Sequence, residues 1–199
     1  MNITELNIKY KIKKSKKYNN ISNITNTGGD SLKLGYTKIY DKYFETYKNK
    51  KINLLEIGIF KGDSLFIYDK YFSQINLFGL DINLDFIKNK YQEKDFINKL
   101  TLYNLDSTNS NDTSKITDKF DIIIDDANHN PGSVIKTLLN FKDKLNKDGI
   151  YFIEDVGNNG HKNVRRRKIK NLLNVNNIKF IYKETEKHGI IIINFDSLY

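Results

Sequence analysis

Phe120-Asp121-Ile122-Ile123-Ile124-Asp125-Asp126-Ala127-Asn128-His129 and, further along, Gly149-Ile150-Tyr151-Phe152-Ile153-Glu154-Asp155 follow one plan. Each is a short apolar run, rich in β-branched or aromatic residues, that ends in paired carboxylates. The first adds a histidine three positions after its pair. Runs of this length and composition read as parallel strands buried on both faces. The acids then fall at the carboxyl ends of two strands, the edge where open α/β sheets bind ligands. Carboxylates that converge there repel one another unless a cation, an arginine or a proton intervenes. Either they cap the helices that follow or they hold a hard divalent ion, and the ion is the simpler account of so many acids.

Outward from these runs the chain alternates. Strand Ile52 to Ile57, helix Ser64 to Phe72, strand Asn76 to Leu80, helix Leu84 to Tyr91 and strand Leu100 to Asn104 come first. A short polar helix near Thr113, strand Phe120 to Asp125, helix Gly132 to Leu145, strand Ile150 to Glu154 and helix Val164 to Leu173 follow. Ile178 to Lys183 and His188 to Phe195 are two more strands, and the link Glu184-Thr185-Glu186-Lys187 is short enough only for an antiparallel hairpin. The pattern predicts an α/β fold that resembles the class I methyltransferase sheet: Rossmann-like, seven-stranded, mostly parallel with an antiparallel last strand, and helices on both faces. Upstream, Tyr36, Ile39, Tyr40, Tyr43, Phe44 and Tyr47 recur at helical spacing and give an amphipathic helix with an aromatic face. Residues 1–28 are polar, basic and Asn-rich and read as a tail or lid segment, with residues 29–199 as one domain.

Composition narrows the chemistry. With no cysteine, thiolate zinc sites, disulfides and cysteine nucleophiles are excluded. No apolar run approaches the roughly 18 residues of a membrane span, and the first residues lack the apolar core of a signal peptide, so a soluble cytoplasmic protein is expected. The net charge of +9 directs attention to anionic ligands. Lys11, Lys13, Lys14, Lys16 and Lys17 read as a solvated tail. All three arginines of the chain, Arg165, Arg166 and Arg167, stand together and are followed by Lys168. Lysine-favouring codon drift does not explain them; they form either a solvated helix face or a contact with an anionic substrate.

Leu54-Leu55-Glu56-Ile57-Gly58-Ile59-Phe60-Lys61-Gly62-Asp63-Ser64 reads as a strand, a glycine turn and a helix start. Gly58 and Gly62 let a ligand approach the backbone, and Ser64 with the free amides beside it can take a carboxylate; a plain strand-to-helix turn would look the same. The next strand ends at Asp81, placed to accept two ribose hydroxyls, and the third at Asp106, placed to read an adenine amino group. Neither the three close glycines of a dinucleotide fold nor a Gly-Lys-Ser/Thr phosphate loop is present. Glu56 at the first strand end would repel a pyrophosphate but suits the sulfonium side of S-adenosylmethionine.

At this point the residues resemble the metal-dependent sugar O-methyltransferases of the macrocin and mycinamicin type, which shade into cephalosporin hydroxylase-like proteins. Leu54-Leu55-Glu56-Ile57-Gly58, Gly79-Leu80-Asp81-Ile82, Ile124-Asp125-Asp126 with His129, and Phe152-Ile153-Glu154-Asp155 carry the likeness, over about Asp30 to Asp155. The resemblance implies that Asp126, Glu154 and Asp155 hold Mg2+ and that His129, with Asp126, is catalytic as the general base. It places S-adenosylmethionine against Glu56, Gly58, Asp81 and Asp106, with Gly62, Ser64 and Asp125 on the same side, and lets the helix that begins at Tyr36 close over the cofactor. Two departures stand out: Ala127-Asn128 replaces the usual Gly-Ser between the acid pair and the histidine, and Asp30 is followed by Ser31 rather than Lys. Relatives acting on macrolides can carry a further N-terminal domain, so the identity of the acceptor does not transfer.

The expected activity is thus a Mg-dependent O-methylation of a sugar hydroxyl, on a nucleotide sugar or in glycan biosynthesis. Methylation of an RNA 2'-hydroxyl, with nucleic acid as partner, or of a catechol-type small molecule are the alternatives, and a non-catalytic binding protein is a third class. His161 and His188 read as loop or surface residues. The aromatic helix either covers the cofactor or forms a homodimer face.

Overall fold

The computed structural model describes residues 1–17, 35–90, 94–157, 163–185 and 188–195. Seven strands form one sheet in the order β3-β2-β1-β4-β5-β7-β6, with β1 at Lys51–Ile57, β2 at Gln74–Asp81, β3 at Leu100–Asn104, β4 at Phe120–Asp125, β5 at Leu145–Ile153, β6 at Ile181–Glu184 and β7 at Gly189–Ile193. The first five pair in parallel, whereas β7 lies antiparallel between β5 and β6. The predicted sheet is therefore the observed one.

Successive residues of the central strands point to opposite faces, and both faces are covered, which is why these strands read as unbroken apolar runs. Leu54, Ile122, Ile124 and Phe152 join one core with Tyr40, Phe44 and Tyr68. Leu55, Ile123, Tyr151 and Ile153 join the other with Val134, Leu138 and Leu173. The first face is covered by α1 (Ile3–Lys17), α2 (Thr37–Phe44) and α3 (Asp63–Tyr71), and the second by α7 (Pro131–Phe141) and α8 (Asn163–Val175). Short helices α4 (Asp85–Lys90), α5 (Lys94–Ile97) and α6 (Ser110–Thr113) flank β3 in sequence. Among the described residues no helix is long and apolar enough to cross a membrane.

The N-terminal segment differs most from its sequence reading. Its first half is a helix with Ile3 and Leu6 in the core. Asp41 of α2 accepts the Ile3 backbone N–H and, at 2.8 Å, the Thr4 hydroxyl, so the exposed amides at the start of α1 are capped from another helix. Residues 18–34, including the Asp30-Ser31 departure, lie outside the described residues, as does His161.

β5 also starts earlier than expected, at Leu145 rather than Ile150, because the chain leaves α7 at Phe141 through a 3-10 turn over Lys142–Lys144. The polar stretch Asn146-Lys147-Asp148 reads as a turn in sequence. It stays in the strand through an irregular register opposite Phe120 and Ile122, with Asp148 at φ 62 and Asn146 donating to Asp121 at 2.9 Å.

Candidate active site

The register of the sheet assembles the strand-end acids. Ile57 is level with Asp125, and Asp125 with Ile153, so Asp126 and Glu154 emerge one step beyond the paired strands. Their backbones continue the ladder: Asp126 N–H donates to the Ile57 carbonyl and Glu154 N–H to the Asp125 carbonyl, each at 2.9 Å. Gly58 turns away from the same edge at φ 88, and a Cβ there would meet Ala127 Cα and the Asp126 carbonyl at 2.5 Å. The glycine is thus required by the close approach of the β4 loop as well as by its left-handed backbone.

Past β5, Asp155 adopts a left-handed conformation, φ 52, uncommon for a residue with a side chain. Four groups surround it, two of them hydrogen-bonded to it. The Tyr36 hydroxyl donates to Oδ1 at 2.8 Å and accepts the Asp155 N–H at 3.1 Å, and Arg165 donates to its carbonyl at 3.2 Å. His188 Nδ1 lies 3.1 Å from Oδ1, and His129 Nε2 lies 3.5 Å from Oδ2. One ligating atom each of Asp126, His129 and Asp155 falls within 4.8 Å of the others, a geometry able to hold a metal ion. Glu154 is not in that trio; it is buried and accepts a hydrogen bond from the Tyr40 hydroxyl.

Burial and the neighbouring carboxylates push the Tyr36 and Tyr40 phenols well above their ordinary value. Both therefore stay neutral and serve as donors to the two acids. Burial raises Asp125 to about 7, opposed by the Ala127 N–H and the Tyr151 hydroxyl. It raises Glu56 to about 8, opposed by the Ser64 hydroxyl, which donates at 2.6 Å, and reinforced by Asp126, Asp63 and Asp81.

A cavity of about 600 Å³ opens beside these groups, lined by Gly58, Phe60, Asp81, Ile82, Asp106, Asp126 and His129 among others. Asp81 accepts the Phe60 N–H at 2.9 Å on Oδ2 and the Asn83 N–H at 3.0 Å on Oδ1. Asp106 Oδ1 accepts the Thr108 N–H and hydroxyl, both at 2.8 Å. Each carboxylate keeps lone pairs for a ligand after fixing its own loop.

Gly58, Asp81, Asp106, Asp126 and His129 are thus brought together around one cavity, as the sequence places them. Glu56, Gly62, Ser64, Asp125 and Tyr36 are not among the residues that line it. Glu56, Asp125 and Tyr36 are buried beneath the edge, where desolvation favours neutral acids over the charge expected of Glu56. Gly62, at φ 71, and Ser64 shape the start of α3. A larger recess, about 700 Å³, lies where β5 begins, among Leu139, Asn146, Ile178 and Phe195, and holds none of the strand-end acids.

Sequence reading missed His188. Its side chain is only 12% exposed and lies against Asp155. The signal was the hairpin itself: an antiparallel β7 beside β5 must begin at the edge where β5 ends, so the residue before it enters the site. Exposed Phe60 and Ile82 on the cavity rim were missed as well.

No protein-family model matches the chain. Over 61% of its length it is 26% identical to mycinamicin VI 2''-O-methyltransferase of Micromonospora griseorubida, covering 31% of that protein. It is 25% identical, over the same share, to 8-demethyl-8-alpha-L-rhamnosyl tetracenomycin-C 2'-O-methyltransferase of Streptomyces olivaceus, covering 33% of it. Both of these relatives are named as O-methyltransferases. The chain spans about a third of the length of these curated relatives. Among solved structures, the MycE methyltransferase of the mycinamycin biosynthetic pathway, in complex with Mg, SAH and mycinamycin VI, superposes with a TM-score of 0.68 at 19% identity. That match covers 98% of this chain and 54% of MycE. The fibrillarin pre-rRNA processing protein of Methanococcus jannaschii shares the fold at a TM-score of 0.58 and 14% identity, covering 74% of this chain and 68% of its own. The methyltransferase fold expected from the strand order is therefore present, and the sugar O-methyltransferases resembled at Asp30 to Asp155 are its sequence relatives.

Proposed function

We propose that this chain transfers a methyl group from S-adenosylmethionine to a sugar hydroxyl with the help of a divalent metal ion. The observation that carries the reading is the convergence of Asp126, His129 and Asp155, of which Asp126 and His129 line the cavity that Asp81 and Asp106 also line. Relatives named for sugar O-methylation, and a structural neighbour solved with Mg and SAH, support it.

The carboxylates fit a hard cation: Asp126 and Asp155 converge beside His129, and neutral phenols hold Asp155 and Glu154 as acceptors. Asp126 and Asp155 would hold Mg2+, with Glu154 as the third carboxylate that the resemblance implies. When bound, the ion makes an acceptor hydroxyl more acidic and fixes its position. In the cavity, Asp81 would accept the ribose hydroxyls, Asp106 would read the adenine edge, and Phe60 and Ile82 would cover the base. Bound S-adenosylmethionine would supply the methyl group, its sulfur–carbon bond breaking as the oxygen–carbon bond to the acceptor forms, and His129 would take the hydroxyl proton.

His129 suits the role of base. A neutral imidazole with a pKa near 6.5 can accept a proton at cellular pH. The Asp155 carboxylate, 3.5 Å from Nε2, stands beside the ring and orients it. The acceptor sugar is proposed to be nucleotide-linked or part of a glycan.

The test is methyl transfer from labelled S-adenosylmethionine to a panel of nucleotide sugars and free sugars, with Mg2+ and with chelator. Turnover that needs the metal and falls at least a hundredfold in Asp126→Asn supports the reading. Chelator-resistant turnover in metal-free protein refutes it.

A further inference from the structure

His129 belongs to two cavities. It lines the donor cavity and also a groove of about 450 Å³ with Asn128, Asn130, Pro131, Arg165 and Lys168. An acceptor whose hydroxyl meets His129 from outside the donor cavity must lie in that groove. Among the described residues its wall carries two cations and no acid.

The cations are placed against the ordinary preference of a helix. α8 opens Asn163-Val164-Arg165-Arg166-Arg167-Lys168, with no acid in its first turn. The positive end of the helix dipole favours anions there and disfavours lysine and arginine. The helix dipole therefore gives no stabilising reason for Arg165, which lies in the first turn. Arg166 departs from the groove and packs on the Tyr182 ring at 5.3 Å. Arg165 turns toward the site and reaches the Asp155 carbonyl, and Lys168 is exposed on the same wall. These are all the arginines in the chain. A planar guanidinium beside a flexible ammonium suits a phosphate or a carboxylate.

We infer that the groove formed by Arg165, Lys168 and His129 binds an anionic group of the acceptor, a sugar phosphate or a sugar carboxylate. The inference rests on the methyltransferase reading, because it takes His129 as the point where the acceptor hydroxyl sits. The acceptor class is then an acidic sugar, and Lys168 and Arg165 are its specificity residues.

Calorimetric titrations of glucose 1-phosphate, glucuronate and neutral methyl glucoside into the full chain with Mg2+ and S-adenosylhomocysteine test it. At least one charged probe should bind tenfold or more tightly than methyl glucoside, and which of the two does so separates phosphate from carboxylate. Lys168→Glu should remove that preference, and Arg166→Ala should not. Arg165→Ala should also remove it, but Lys168→Glu makes the decisive comparison because Lys168 does not touch Asp155. Equal binding of all three probes, binding of none, or a preference that survives Lys168→Glu overturns the inference. Failure of S-adenosylhomocysteine itself to bind is a separate result and strikes the methyltransferase reading instead.

Discussion

The Tyr36 hydroxyl both donates to Asp155 Oδ1, at 2.8 Å, and accepts the Asp155 backbone N–H, at 3.1 Å. A residue at the start of α2 thus clamps the carboxylate and the strained backbone of an acid 119 positions later. The sequence places Tyr36 over the cofactor, whereas in the fold it is fully buried and supports the candidate metal site. Tyr36→Phe is expected to weaken Mg2+ binding and turnover by about 10–100-fold, the usual effect of losing a partner behind a metal ligand. Magnesium titrations alongside S-adenosylhomocysteine titrations check this. A loss confined to the latter would restore the cofactor role.

His188 supports Asp155 from the opposite end of the chain, through Nδ1 at 3.1 Å. His188→Ala should lower kcat by about 10–100-fold with a smaller change in the KM for the methyl donor. His188→Asn, whose amide can occupy the position of Nδ1, should recover much of the loss. Steady-state kinetics of the pair decide it, and equal rates in wild type and His188→Ala would count against any role.

Glu56 gives a prediction about stability. Burial raises it from 4.5 to about 8, so the folded chain holds a proton there that the unfolded chain releases. The stability from this group is fully present below pH 4.5 and is lost as pH rises through about 8. Glu56→Gln keeps an acceptor for Ser64 and removes the ionisation. The variant should be stabilised relative to wild type by about 2–4 kcal/mol more at pH 9 than at pH 4. Urea unfolding of ligand-free protein at the two pH values measures it. A flat difference would mean that Glu56 is ionised in the fold.

Gly58→Ala places a Cβ 2.5 Å from the Ala127 Cα and from the Asp126 carbonyl, at a φ of 88. We expect a loss of about 2–4 kcal/mol in stability, from left-handed strain and from displacement of the β4 loop. Thermal unfolding tests the loss. Gly132→Ala, with only a 3.5 Å contact, serves as the mild comparison.

Strands were legible because both faces of the sheet are covered, so Ile122-Ile123-Ile124 is apolar without interruption. The acids at their ends were legible for the same reason, since the register that buries Ile57 and Ile153 delivers Asp126 and Glu154 to one edge. Depth was not legible. Glu56 and Asp125 follow the same pattern as Asp126, yet they sit two steps and one step inside its level in the sheet and are buried. Helix α1 escaped because the apolar residues that seat it, Ile3 and Leu6, are few among lysines and its cap comes from Asp41 of another helix. His188 escaped because its place depends on the sheet order at the hairpin rather than on its neighbours in sequence.

The most direct measurement is isothermal titration of S-adenosylhomocysteine into the wild-type chain and into Asp81→Ala. The account predicts binding by wild type and a loss of at least tenfold in the variant, because Asp81 is the acid that lines the donor cavity at the end of β2. No binding by wild type, or an affinity indifferent to Asp81, would contradict it.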